Sequence, residues 1–198
     1  MTRERILAAA RRLLVTGSYS SVKMEEIARE AGVAHQTLYA VFGTKLRLAQ
    51  EMVDAGWPHV PQLLKLVDEA KGLKDPEAWL RTMASLHRRI FEPCADLIRF
   101  TGESGDADLF AHHQRIERNR YENLRGLASV LEGSGRLRPS ISAEEAVSVA
   151  WTMLGPDYYV KLVFDRGWTP DRYEEWVTQA LIDLFLTSRA SPGPQPEP

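Results

Sequence analysis

The chain of 198 residues contains a single cysteine, Cys94, and no apolar run of the length that a membrane helix needs. One cysteine excludes an internal disulfide and any zinc site built from cysteines. The uncharged stretch Ala146–Leu154 is much shorter than the roughly 20 residues that span a bilayer, and Gly155 and Pro156 follow it. The first residues carry an acid and a helical pattern, which is not typical of a secretory signal. We therefore expect a cytoplasmic protein.

The net charge of −2 conceals an asymmetry along the chain. Residues 1–50 contain eight basic and four acidic residues, a net charge of +4. The remaining 148 residues contain 17 basic and 23 acidic residues, a net charge of −6. A small basic segment joined to an acidic body favours contact between that segment and a polyanion.

Apolar residues recur at helical spacing along almost the whole chain, and no segment predicts a strand. The fold class is therefore all-α. Four short helices open the chain, with predicted limits at Ile6 and Gly17, Met24 and Gly32, His35 and Phe42, and a Thr44 cap and Pro58.

The later helices are marked by caps and breaks. A cap at Asp75 before Pro76 begins the first of them, and one long helix from Leu109 to Leu131 follows and ends at Gly133–Gly135. A capping box of Ser142 and Glu145 begins the next helix, which breaks at Gly155-Pro156. The last helix begins at Thr169-Pro170. Residues 190–198 contain four prolines and no apolar period, which predicts disorder. We divide the chain into a domain of short helices at 1–45, a helical body at 46–189, and this tail.

The second and third short helices, with a turn at Gly32 and Val33, match a helix-turn-helix. A short helix of this kind fits the major groove of DNA, and its N-terminal turn is the end that meets base edges. Polar side chains able to read bases stand at that turn, namely His35, Gln36 and Thr37. Lys45 begins the next helix, where an ammonium and free backbone N–H groups suit a phosphate.

Residues 6–52 carry a family resemblance. The string Thr37-Leu38-Tyr39-Ala40-Val41-Phe42-Gly43-Thr44-Lys45, after Ile27–Val33, resembles the TetR-type transcriptional regulators. The resemblance implies a homodimer that binds a palindromic operator, usually as a repressor that a small-molecule effector releases. It also implies base contacts by His35, Gln36 and Thr37 and phosphate contacts by Tyr39 and Lys45.

Two departures from the family pattern concern the caps and one acid. The family usually has Ser or Thr where this chain has Lys23 and Ala34, and the loss of a side-chain cap typically costs about 1 kcal/mol. Glu26 can bond back to the Lys23 N–H, and we count Lys23 among the phosphate contacts. Glu25 stands where some members have a base-reading arginine, so its carboxylate either points away from DNA or accepts from cytosine.

Aromatic and polar residues at helical spacing in the body favour a ligand cavity between helices. The candidates for an effector pocket are Trp79, Met83, His87, Phe91, Phe110, His113, Tyr121 and Trp151. The same residues also fit an ordinary core, with the two histidines each hydrogen-bonded there.

The last helix has the most regular apolar stripe in the chain. Its members are Tyr173, Trp176, Val177, Ala180, Leu181, Leu184 and Phe185. The stripe fits a core face, or an interface with its symmetry mate and the helix after Ser142. The family resemblance favours the interface, and so we expect a homodimer.

Alternative functions follow from the same residues. A helical ligand-binding or interaction protein without DNA binding is favoured by Lys23, Ala34 and Glu25. An enzyme would use His87 or His113 as a general base, but no nucleophile with an orienting partner and no cofactor motif is present. No spacing typical of a metal site joins the histidines and acids of the body, and Cys94 has no resolving partner. We therefore expect no enzyme, no cofactor and no metal.

Overall fold

The computed structural model describes residues 2–56, 68–69 and 72–188. Helices within these ranges are α1 (Thr2–Thr16), α2 (Met24–Ala31), α3 (His35–Phe42), α4 (Lys45–Gly56), α5 (Pro76–Glu103), α6 (Ala107–Leu124), α7 (Gly126–Ser134), α8 (Ala143–Met153), α9 (Pro156–Tyr159) and α10 (Pro170–Phe185). A π-helical segment, Val160–Asp165, follows α9. The described chain contains no strand, only an isolated bridge between Leu137 and Leu186, and the all-α prediction is confirmed.

Most of the predicted helix ends are confirmed, and each has a local cause. The side chain of Asp75 accepts from the Ala78 N–H at 3.4 Å before α5. Thr169 caps α10 by accepting from Arg172 N–H at 3.2 Å. The Thr44 hydroxyl accepts from Arg47 N–H at 3.1 Å at the start of α4. Such side-chain acceptors satisfy N–H groups that the first helical turn leaves without partners.

Three predictions about the helices need comment. The single long helix after Leu109 is wrong, because Arg125 N–H bonds to the carbonyl of Glu122, three residues back, and this tighter turn separates α6 from α7. The predicted end at Pro58 and the predicted disorder of residues 190–198 lie outside the described residues.

Helix α5 lies at the centre of the molecule. Its 28 residues contact α1 and α4 on one side and α6, α7, α9 and α10 on the others. Arg11 of α1 donates to both carboxylate oxygens of Asp96, at 2.9 and 2.7 Å, and to the Pro93 carbonyl at 2.6 Å. Pairs of parallel bonds between a guanidinium and a carboxylate hold both groups in one geometry. The N-terminal helices are therefore attached to the body by apolar packing and by this ion pair.

The capping box of α8 gives a stability prediction. Ser142 Oγ accepts from Glu145 N–H at 3.2 Å, and Ser142 N–H donates to the Glu145 carboxylate at 2.8 Å. Ser142→Ala removes the first bond, so we expect the free energy of unfolding to fall by about 1 kcal/mol in urea titrations. Ser140→Ala, an exposed change two residues earlier, is the control, and an equal loss in both variants would contradict the assignment.

Candidate DNA interface and ligand cavity

The two helices of the helix-turn-helix are held by a buried apolar core and a left-handed turn. Ile27 of α2 and Leu38 and Phe42 of α3 are fully buried. Gly32 ends α2 with φ 64°, and its N–H bonds back to the carbonyl of Arg29. A side chain there would be strained in that conformation, and its Cβ would lie 2.8 Å from the Arg5 guanidinium. The angle between α2 and α3 therefore depends on a glycine at this position.

The predicted base-reading residues share the exposed N-terminal turn of α3. His35 and Gln36 are exposed and Thr37 is half-buried. No side chain caps this helix, since Ala34 precedes it, so its first N–H groups are open to an acceptor. Tyr39, 41% exposed, lies one turn further along with its ring 4.5 Å from that of His35.

Glu25 of α2 faces this turn and contacts it directly. Its Oε1 lies 3.1 Å from His35 Nε2. A backbone hydrogen bond lowers the pKa of Glu25, and the neighbouring His35 lowers it further. The sequence left two positions open for this carboxylate, either turned away from DNA or accepting from cytosine. In the structure it is turned toward α3. The contact between helices could not be predicted from sequence spacing.

The two predicted phosphate-binding lysines differ in their surroundings. Lys23 is exposed, and its backbone N–H donates to the Glu26 carboxylate at 2.8 Å, as expected from the sequence. The Lys45 ammonium instead donates to the carbonyls of Tyr19 and Val22. It also lies 4.5 Å from the centre of the Tyr19 ring, and burial lowers its pKa. In this structure Lys45 fastens the loop before α2, and its phosphate contact stays a prediction.

A cavity of about 800 Å³ opens between α4, α5, α6 and α7. Four of the predicted pocket residues line it: Trp79, Met83, His87 and Phe91. Sequence reasoning did not select its other lining residues, which include Val53, Asp54, His112, Arg115 and Arg120. Two of these belong to α4, which the sequence analysis did not connect with the pocket.

The other four predicted pocket residues do not line this cavity. Phe110 is 48% exposed and its ring stacks on that of His113. His113 Nδ1 lies 3.2 Å from the Thr101 hydroxyl. Tyr121 and Trp151 contact each other edge to face, with ring centres 6.0 Å apart. On α6 the histidine that lines the cavity is His112 and not the predicted His113, which is the next residue along the helix.

The two histidines of the cavity wall are both 4% exposed. His87 Nδ1 lies 2.7 Å from the Met83 carbonyl. Burial lowers the pKa of His87 to about 4, with a further contribution from Arg120. Burial also lowers the pKa of His112, whose Nε2 lies 3.2 Å from Asp54 Oδ1 without hydrogen-bond alignment. His112 of α6 therefore contacts Asp54 of α4 at the cavity wall.

The apolar stripe of α10 is divided between the core and the surface. Four of its members are fully buried inside the protomer: Tyr173, Val177, Leu181 and Phe185. Trp176 and Ala180 are half-buried, and Leu184 is 49% exposed. The four buried side chains pack within one protomer, so an interface has only the other three from this stripe to use.

Some classes of site can be assessed for the described part of the chain. No helix there is long and apolar enough to cross a membrane. No group of three His, Cys, Asp or Glu side chains lies together as a metal ion would need, within residues 2–56, 68–69 and 72–188. Cys94 is buried and donates to the Ile90 carbonyl at 2.9 Å, and burial raises its pKa to about 12. A thiol of that kind is unreactive near neutral pH.

Residues 6–52 match the family of bacterial regulatory proteins named tetR. A curated relative, the HTH-type transcriptional regulator AlkX of Mycobacterium tuberculosis, is 37% identical over 62 residues. That match covers 27% of this chain and 29% of the relative, so the chain spans less than a third of the length of the relative that it matches.

Solved structures resemble the whole described fold. NalD, the secondary repressor of the MexAB-OprM multidrug efflux pump in Pseudomonas aeruginosa, superposes with a TM-score of 0.71 at 21% identity over 93% of this chain and 96% of its own. FadR from Bacillus subtilis, crystallised with stearoyl-CoA, gives a TM-score of 0.69 at 16% identity, over 91% of this chain and 98% of its own. At these identities the likeness shows the fold.

Residues 6–52 are therefore similar in sequence to the tetR family of bacterial regulatory proteins, and the fold of the described chain resembles those of NalD and FadR.

The burial of His87 predicts a pH dependence of stability. The unfolded chain binds the histidine proton with an ordinary pKa of 6.5, and the folded chain binds it only near 4. Between these values the unfolded state binds more protons, so the folded state loses stability as the pH falls. On going from pH 7.5 to about pH 5, we expect wild-type protein to lose about 2 kcal/mol more of its free energy of unfolding than His87→Leu. Equal losses in urea titrations of both proteins would contradict this.

Proposed function

We propose that this protein is a ligand-responsive transcriptional regulator that binds a palindromic operator as a homodimer and is released by a small molecule. One observation carries the proposal: the exposed recognition helix and the cavity are joined by a single helix, α4, which begins at Lys45 and lines the cavity with Val53 and Asp54. A molecule in the cavity thus touches the element that positions the DNA-binding helices.

The DNA side of the proposal rests on α2 and α3. The proposed base contacts are His35, Gln36 and Thr37, at the open N-terminal turn of α3. Gln36 offers the two atoms that pair with adenine in the major groove. Lys23, exposed at the start of α2, and Tyr39, exposed on α3, are the proposed phosphate contacts, with Lys45 acting mainly by holding the loop. Phosphate contacts supply affinity and base contacts supply preference.

The coupling side rests on contacts that a ligand would change. Asp54 of α4 meets His112 of α6 at 3.2 Å at the cavity wall, and Arg11 of α1 is fixed to Asp96 of α5. Movement of α4 against these anchors changes the separation of two recognition helices in a dimer. The shift is limited to the difference between the ligand's affinities for the two conformations.

The comparisons favour repression and an apolar effector. NalD is a repressor, and FadR of the same fold was crystallised with stearoyl-CoA. The cavity wall is mainly apolar here as well, with Trp79, Met83 and Phe91 buried in it. An apolar effector of moderate size suits such a wall. This assignment carries no catalytic residue, and we propose regulation rather than catalysis.

Substitutions at two interface residues separate base reading from phosphate binding. Gln36→Ala should abolish the base preference at one position of each half-site, worth about 1–3 kcal/mol, while binding of other sequences is kept. Lys23→Ala should weaken the binding of all DNA sequences alike. It should also reduce the slope of log K against log salt by about one unit for each half-site that a protomer contacts. Selection from a random DNA library followed by salt titration measures both effects.

Matched controls for this experiment lie on the body. Gln114 and Arg81 are exposed on α6 and α5, so Gln114→Ala and Arg81→Ala should leave the selected sequence and the salt slope unchanged. If folded wild-type protein selects no sequence, the alternative of a ligand-binding protein without DNA binding replaces this proposal.

Leu184 tests the dimer. A half-exposed leucine beside Trp176 and Ala180 fits an interface with α8 and α10 of a second copy. Leu184→Asp places a charge there and should convert the dimer to a folded monomer in sedimentation velocity, with weaker binding of a two-half-site operator. Phe110→Asp, at similar exposure on another helix, should stay dimeric. An unchanged mass for Leu184→Asp would exclude this surface.

A further inference from the structure

The polar groups of the cavity are arranged by depth. At its buried end, His87 stands among Trp79, Met83 and Phe91, all at most 4% exposed. At its rim lie exposed polar and charged groups of α4, α6 and α7, namely Asp54, Arg115, Asn119, Asn123 and Ser129. A ligand that fills the cavity therefore has its inner end against an apolar wall with a histidine and its outer end at a solvated rim.

The hydrogen-bonding state of His87 follows from its neighbour. The Met83 carbonyl can only accept, so the ring nitrogen 2.7 Å from it, Nδ1, carries the proton. Burial keeps the ring neutral, since it lowers the pKa of His87 to about 4. The second nitrogen, Nε2, is then an acceptor with a lone pair. Among the described residues no hydrogen bond uses Nε2, and this atom is not one of the buried atoms left without a partner, so it keeps some exposed surface.

Arg120, a described lining residue whose charge acts on His87, is already paired. Arg120 donates to the Glu117 carboxylate at 2.5 Å and to the Trp151 carbonyl at 2.6 Å. Among the described lining residues, the other guanidinium is that of Arg115, which is exposed and bonds to His112. A carboxylate at the buried end would be desolvated without an unpaired cation beside it, which is unfavourable.

We propose that the effector is an uncharged, largely apolar molecule with a hydroxyl group, of the phenol type, whose O–H donates to Nε2 of His87 while its ring packs against Trp79 and Phe91. The inference rests on the proposed function in taking this cavity as the effector site. A ligand that fills this end of the cavity separates Nε2 from solvent, and an acceptor left without a donor is costly, so the site selects for a ligand that supplies a donor. Groups at the rim then meet the solvated end of the ligand.

The test compares three probes of nearly equal apolar size: para-butylphenol, para-butylanisole and para-butylbenzoate. Calorimetric titration of the full-length protein at pH 7.5, without DNA, gives the three dissociation constants. We expect the phenol to bind about tenfold more tightly than the methyl ether, which lacks the donor, and the benzoate to bind more weakly than the phenol. Because DNA is absent, failure of operator binding does not affect this result.

Two substitutions locate the effect. His87→Leu should bring the phenol and the ether to equal affinity while ether binding is retained, and Arg115→Gln should leave the ratio of phenol to ether unchanged. If His87→Leu does not fold, the ¹⁵N resonance of His87 Nε2 in wild-type protein is the second measurement. It should shift toward that of a hydrogen-bonded acceptor with the phenol and not with the ether.

Several results would overturn the proposal. Equal affinity of wild-type protein for phenol and ether, or failure of both to bind, removes the role of His87 as acceptor. Tightest binding by the benzoate, lost in Arg115→Gln, would assign the cavity to an anionic amphiphile held at the rim. Release of the operator by the phenol, measured separately by fluorescence anisotropy, reports on the proposed function and not on the chemistry of the cavity.

Discussion

The burial of α5 is the constraint on which the rest of this structure depends. Fourteen of its 28 residues are buried, on faces that meet α1 and α4 as well as α6, α7, α9 and α10. A helix buried on several sides transmits displacement because a close-packed interior has no free volume to absorb it. The DNA-binding helices, the cavity and the helix of the proposed interface therefore share one support. Asp96 adds a charged anchor to the apolar packing at the side that faces α1.

This arrangement gives the cavity and the proposed DNA interface a shared support. Trp79, Met83, His87 and Phe91 project from α5 into the cavity, while Asp96 on the same helix holds Arg11. Helix α4 closes the cavity from the other side and continues from the recognition helix after only Gly43 and Thr44. Asp54 of α4 contacts His112 at the cavity wall. His112 is buried but Asp54 is exposed, so a ligand or solvent can compete for this contact. The coupling proposed here needs no large rearrangement, only a changed position of α4 relative to α5.

Two charged residues of the proposed DNA interface contact other groups of the chain. Glu25 would repel phosphate if it stood alone, but its Oε1 lies 3.1 Å from His35 Nε2 at the first turn of α3. The Lys45 ammonium donates hydrogen bonds to the carbonyls of Tyr19 and Val22. Both contacts shape the proposed DNA-binding surface within the chain itself. In the proposed regulator, preference for an operator would depend on the pairing of residues in α2 and α3 as well as on the reading side chains.

The sequence by itself determined the helical class, most helix ends and the recognition turn, because these depend on neighbours within a few residues. Caps at Thr44, Asp75, Ser142 and Thr169 act on N–H groups three positions away, and the string from Thr37 to Lys45 lies in one continuous segment. Tertiary structure alone decided which aromatic residues line the cavity, that His112 and not His113 faces it, and that α4 contributes to its wall. It also divided the stripe of α10 between core and surface. These outcomes depend on how helices far apart in the chain rotate and pack, and helical periodicity identifies an apolar face without stating what covers it.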